Sequence, residues 1–130
     1  MNVIEKINGY VYVDNSKIDK SMYSYINDLA IKNFKNIKSI IKSTKRITKK
    51  TRLNPIYISK DILLIPFYDI RSEDAICINY FNIKGITINA FNTTICFNDG
   101  MIRSFSISSY KMQNSIKKAI LIDEYITLID

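Results

Sequence analysis

Between Lys32 and Arg52 the chain reads KNFKNIKSIIKSTKRITKKTR, with nine basic side chains and no Asp or Glu. The chemistry open to such a run is neutralisation of phosphates with release of their counterions, and its affinity falls steeply with salt. The other ten basic residues of the chain face 12 acidic ones, so the formal net charge of +7 originates in this stretch. Charge this local points to an anionic polymer as partner. The competing reading is a solvated face, since Ile, Lys, Asn and Tyr are heavily used, as in proteins of AT-rich genomes. Such a bias would scatter lysine and would not exclude acids from a long window. The candidate nucleic-acid contacts are Lys38, Lys42, Lys45, Arg46, Lys49, Lys50 and Arg52. Arg46 and Arg52 suit a narrow minor groove, where the negative potential is focused. The lysines would position the protein without reading bases.

Little else in the chain carries chemistry. With no histidine, His-based acid–base catalysis and His metal ligation are excluded. Cys77 and Cys96 sit in apolar, strand-like contexts and read as buried free thiols, with a disulfide or redox pair as the alternative. Asp69, Glu73 and Asp74 lie in a loop without the glycine or further ligand that a cation site needs, and Asp123-Glu124 is equally bland. There is no phosphate-binding glycine loop, no G-x-S-x-G and no Cys–His pair. The expectation is a non-enzymatic protein without cofactor or metal. The first residues lack the apolar core of a signal peptide, and the longest apolar run, Ile62 to Tyr68, is too short for a bilayer. A soluble, cytoplasmic protein with no membrane partner follows as an expectation.

The elements that must hold these side chains are mostly strands. Val3 to Val13 predicts a hairpin about Asn8-Gly9, a pair suited to a type I′ turn, with Asp14 to Ser16 as a loop. Met22, Ile26, Leu29, Ala30, Ile37, Ile40 and Ile41 fall near one helical face, with Ser21 as N-cap, although Asn33 interrupts it and a strand over Leu29 to Ile31 competes. From Ser43 to Asn54 the apolar residues thin to Ile47 and Leu53, which predicts an exposed loop or arm. Short strands are predicted at Ile56 to Ser59, Ile62 to Ile65, Ala75 to Phe81 and Ile83 to Ala90. A further hairpin joins Thr94 to Phe97 with Met101 to Ile107 through Asn98-Asp99-Gly100. Tyr10, Tyr12, Phe97 and Phe105 alternate as in a half-buried sheet and are expected in the core rather than stacked on bases. Ser108-Ser109 can cap a helix from Tyr110 to about Leu121, apolar at Met112, Ile116, Ala119 and Ile120 and wet at Lys111, Lys117 and Lys118. The tail DEYITLID extends it or adds an edge strand. The fold class is α+β, a mainly antiparallel sheet of hairpins with a C-terminal helix and a second helix near residues 21–41.

The order of features over residues 54–122 resembles the ComK family of competence transcription factors. NPIYI followed by KDILLIPF is similar to the family's Pro-Ile strand and the hydrophobic strand after it, with Ile65 where Phe is usual. YDIRSEDA is a spacer of matching length before ICINYFNIK, where Cys77 stands in place of a common Trp and Ala75 in place of a Cys. FNTTICFNDG resembles the family hairpin, SISSYKMQNSIKKAIL its Ile-Ser step into a helix with Asn114 on a matching Asn, and INGYVYV its opening turn. The segment between Asn8 and Pro55 is shorter than in the best-known members, and the chain stops at Asp130, short of the family's C-terminal extension. The resemblance implies one DNA-binding-type domain over residues 1–130, selective for AT-rich minor grooves of double-stranded DNA and controlling DNA-uptake genes. A homo-oligomer stays open. An RNA- or ribosome-associated basic module, or a modulator of a full-length regulator through protein contacts, are the alternatives.

Overall fold

Asn8 and Gly9 both take positive φ, 49° and 83°, and fold β1 (Val3–Ile7) onto β2 (Tyr10–Val13). Asp14 and Asn15 repeat the device at 47° and 71° and lead into β3 (Ser16–Ile18), so the predicted loop is only two residues long. Asx side chains tolerate this left-handed backbone, which is why a tight turn forms there without glycine. The computed structural model describes residues 1–129. The remaining elements are α1 (Met22–Lys32), α2 (Ile37–Thr48), β4 (Ile56–Ser59), β5 (Ile62–Phe67), β6 (Ile76–Asn79), a 3-10 turn at Tyr80–Asn82, β7 (Ile83–Ile88), β8 (Thr93–Phe97), β9 (Ile102–Phe105) and α3 (Ser109–Ile129). The protein is α+β, as the pattern predicts.

Two antiparallel sheets share the strands. One has the order β3-β2-β1-β6-β5-β4 and the other β7-β8-β9. Alternation along the larger sheet assigns its two faces. Ile4, Ile58, Leu64 and Cys77 face α1 and α2, meeting Met22, Ile26, Ala30, Ile37 and Ile40. Val3, Leu63, Ile65, Phe67 and Ile78 face the smaller sheet and α3, meeting Ile95, Phe97, Phe105, Met112, Ala119 and Ile122. Burial of both faces explains the unbroken apolar run ILLIPF in β5. Pro66 needs no ladder partner on its β4 side, because that pairing ends at Ile56↔Leu64.

Two polar devices tie the layers. The buried Glu5 carboxylate of β1 accepts two bonds from the Arg103 guanidinium of β9, joining the sheets. Asn79, also buried, accepts from the backbone N–H groups of Leu63 (3.1 Å) and Phe81 (3.3 Å) and donates to the carbonyl of Asp61 (3.0 Å). It thereby bends the chain from β6 into the 3-10 turn.

The region from residue 21 to 54 differs from expectation. Ser21 caps α1 by accepting from Ser24 N, but the helix stops at Asn33, whose N–H reaches back to Ala30 and Ile31 carbonyls. Phe34 takes φ 60°, and Asn36 then caps a separate α2. The alternative strand over Leu29 to Ile31 does not form. The predicted arm from Ser43 to Asn54 is helical as far as Thr48. Thr44 and Thr48 are buried, with their hydroxyls donating to the carbonyls of Ile40 (2.8 Å) and Thr44 (3.2 Å). They complete the inward face that a count of apolar residues alone leaves empty.

In α3 the apolar reading holds for Met112, Ala119 and the partly buried Ile116, while Ile120 is exposed and Ile122 buried. The helix runs through the tail to Ile129, and the edge-strand alternative is not taken. Phe97 and Phe105 are core residues and Tyr12 is half-buried. Tyr10 is exposed, with the Lys17 ammonium 3.9 Å from its ring centroid. Cys77 is buried and Cys96 half-buried, both free thiols. Among the described residues no helix is long and apolar enough to cross a membrane.

Candidate nucleic-acid interface

Helix α2 is fixed at its start by Asn36, whose side chain accepts from Ser39 N at 2.9 Å. Its inward side is Ile37, Ile40, Thr44 and Thr48, with Ile47 against the core. At 3.6 residues per turn, Lys38, Lys42, Lys45, Arg46 and Lys49 then fall within a sector of roughly 100° on the opposite side. All five are exposed. From Lys38 to Lys49 the row is about 17 Å long at the helical rise. Among the described residues three ion pairs form, and none involves a residue of this row. The cations therefore keep their charge free for a ligand.

The helix ends at Lys49, which takes φ 60° while its N–H bonds the Lys45 carbonyl at 3.0 Å. The following turn is braced. Thr48 Oγ1 donates to Asn54 Oδ1 (2.8 Å), and Asn54 Nδ2 donates to the Lys50 carbonyl (2.8 Å). From α3, Lys118 Nζ donates to the carbonyls of Arg52 (2.9 Å) and Leu53 (3.4 Å). Burial, together with the nearby Lys50 charge, pushes the Lys118 ammonium below its ordinary pKa. Lys50 and Arg52 thus stand on a held turn continuous with the helix row, not on a loose arm. All seven sequence candidates lie in this one stretch of surface.

Two other lysines of the basic run behave differently from each other. Lys32 is exposed at the end of α1. Lys35 is turned inward, donating to the Ile58 carbonyl at 3.0 Å with its ammonium 4.2 Å from the Tyr57 ring centroid, and burial lowers its pKa. It is a structural cation.

Three cations outside the basic run join the surface. A cleft of about 200 Å³ is lined by Lys45, Arg52 and Leu53 together with Tyr23, Tyr68 and Arg71. The Arg71 guanidinium lies 4.4 Å from the Tyr23 ring centroid. A neighbouring cleft of about 220 Å³ shares Leu53 and Tyr68 and adds Lys111 and Lys118. Sequence reasoning missed Arg71 because acids surround it in the 69–74 loop, and placed Lys111 and Lys118 merely on a wet helix face. Only tertiary packing brings them beside residues 52 and 53.

The rest of the molecule offers little chemistry. Among the described residues, no three His, Cys, Asp or Glu side chains converge as a metal site would require. Burial pushes the Cys77 thiol up to about 12, which makes it an inert core group.

The family model described as ComK protein matches residues 10–127. No curated protein and no solved structure matched the chain. The match takes in β2 to β9, α1, α2 and all but the last two residues of α3, and so includes the basic stretch. With nearly its whole length matched, the chain belongs to the ComK family of competence transcription regulators.

Proposed function

We propose that this chain is a DNA-binding transcriptional regulator that acts by binding rather than catalysis. It contacts AT-rich duplex DNA through the outward row of α2 and the turn after it. The observation that carries this reading is the row Lys38, Lys42, Lys45, Arg46 and Lys49, exposed on one side of a helix without a carboxylate partner among the described residues. Lys50 and Arg52 continue it. The lysines neutralise phosphates and set the register of the protein on the duplex. Arg46 and Arg52 supply the guanidinium groups that a narrow A·T minor groove attracts. A helix bound at its back by Ile and Thr side chains is a rigid carrier for such a row, so little side-chain order is lost beyond the lysines themselves.

Fluorescence anisotropy with an AT-rich and a GC-rich duplex, each at two salt concentrations, tests the proposal. Five lysine–phosphate contacts would give a slope of log K against log salt near −4.5, at about −0.9 per contact. Weak binding without a salt slope would end the proposal. Equal affinity for both duplexes would remove its sequence-selective part, and tighter binding of single-stranded or structured RNA would redirect it to an RNA partner.

A further inference from the structure

The two clefts beside the basic turn share a wall, and that wall is made of Leu53 and Tyr68. Both residues take left-handed backbone, with φ of 51° and 65°. Bulky side chains seldom adopt it, and strain of this kind gathers at sites where a side chain must be aimed. Both are exposed at 37% and 39%. Each is also pinned by a lysine of α3. Lys118 holds the Leu53 carbonyl, while Lys111 donates to the Tyr68 hydroxyl at 3.0 Å with its ammonium 4.3 Å from the ring centroid. Cations stand on both sides of the wall: Lys45, Arg52 and Arg71 in one cleft, Lys111 and Lys118 in the other. Asp69 is the carboxylate in the first cleft, and its Oδ1 already accepts from Arg71 N at 2.9 Å.

An apolar ridge between two banks of positive charge matches the cross-section of a DNA minor groove, an apolar-tolerant floor between two phosphate strands. We propose that Leu53 and Tyr68 form the ridge that enters the minor groove and discriminates A·T from G·C. Lys45 and Arg71 grip the phosphates on one side and Lys111 those on the other, while Lys118 keeps its hold on the 52–53 carbonyls. This rests on the duplex-binding reading above and adds to it the residues that read the groove. The discrimination is steric and hydrational. A G·C pair projects the guanine 2-amino group from the groove floor, and an A·T pair does not. Leucine methyls and a tyrosine ring cannot satisfy that amino group, and they lie flush against the floor of an A·T tract.

The test uses three duplexes of one length: A·T-rich, G·C-rich, and the latter with inosine for guanine. Inosine·cytosine keeps the major-groove oxygen and N7 of G·C but lacks the minor-groove amino group. The full chain is expected to bind the A·T and I·C duplexes at least tenfold tighter than the G·C duplex. Leu53→Asn and Tyr68→Asn, chosen because Asn accepts positive φ, are expected to bind all three duplexes alike while keeping the salt slope. Leu53→Gly, which relaxes the same backbone, guards against loss of fold and is expected to give the same result. Lys111→Gln, which also releases the Tyr68 hydroxyl, is expected to weaken binding to all three duplexes, to shorten the salt slope by about one contact and to narrow the A·T preference. The ridge proposal is overturned if I·C binds like G·C, or if the Leu53 and Tyr68 variants keep wild-type discrimination. In both cases the salt-dependent binding, and with it the broader function, still stands. Absence of any duplex binding by the wild-type chain overturns both.

Discussion

Helices α2 and α3 pack against one another, yet they turn different chemistry to solvent. In α2 the inward side includes two threonines, and the outward side is a row of cations. In α3 the inward side is Met112, Ser115, Ala119 and Ile122, and the second half shows Leu121, Tyr125, Leu128 and Ile129 to water. The contrast separates attachment from display. Thr44 can serve as a core residue because its hydroxyl donates to its own helix, and Thr48 because its single hydroxyl proton is shared between the Thr44 carbonyl and Asn54 Oδ1, which leaves both methyls to pack. An amphipathic helix can then be well fastened with few aliphatic residues, and its whole outer side becomes available for phosphate contacts. The first half of α3 contributes differently, through Lys111 and Lys118, whose ammonium groups hold the Tyr68 hydroxyl and the 52–53 carbonyls and thereby shape the surface that α2 charges.

If display and attachment are separate in α2, changing Lys45, Arg46, Lys49, Lys50 and Arg52 to Ala will lower duplex affinity at least 100-fold by anisotropy. The melting temperature will stay within about 3 °C, since exposed, unpaired side chains hold little stability. A collapse of the melting temperature would show instead that the row is structural. On the inward side, Ile40→Ala is expected to cost about 2–5 kcal/mol in urea unfolding, the ordinary result of a cavity in a core. Met112→Ala should match it from α3, and unequal costs would mean that one helix is held chiefly by something other than its core contacts. Thr48→Val keeps the shape but removes the hydroxyl that Asn54 accepts from. A loss of about 1–2 kcal/mol is expected, with a modest fall in duplex affinity as the turn carrying Arg52 loosens. On the outward side of α3, Leu128→Ser should change stability by no more than about 0.5 kcal/mol. The smallest effect concerns pH and serves as a control remote from both helices. The backbone N–H of Met101, then the Asn2 side chain, hold the Asp99 carboxyl below its ordinary 3.8. A carboxyl so lowered contributes stability that is complete above its ordinary value and is lost as pH falls through the lowered one. Asp99→Asn should therefore flatten that part of a melting-temperature profile at acid pH while leaving duplex affinity unchanged.

Turn chemistry made much of the sheet legible in advance. Asn8-Gly9 and Asn98-Asp99-Gly100 mark their hairpins because few residues accept the positive φ found at Asn8, Gly9 and Gly100. Asp14-Asn15 was less visible, since neither is glycine and β3 has only three residues. The break between α1 and α2 shows in the sequence as Asn33 and Asn36, two caps three residues apart, but an apolar stripe continuing on both sides conceals it. The run of helix to Thr48 was hidden for the opposite reason: its buried positions are polar. Charge located the proposed contact surface as a segment, because exclusion of acids is a one-dimensional property. It could not locate Arg71, Lys111 or Lys118, which reach that surface from other elements. Nor could it remove Lys35, whose inward course depends on the Ile58 carbonyl and the Tyr57 ring.

The place of β1 in the larger sheet bears on synthesis. It lies between β2, made next, and β6, about 70 residues downstream. At roughly 5–20 residues per second, β6 follows β1 from the ribosome by on the order of 4–14 s. Throughout that interval the meander β1-β2-β3 has one edge open, with Val3 uncovered on the face that the smaller sheet and α3 later cover. Open edges of this sort pair with neighbours. A chain in which β6 is delayed or cut away would thus expose its own N-terminal hairpin as a nucleus for clumping on crowded polysomes.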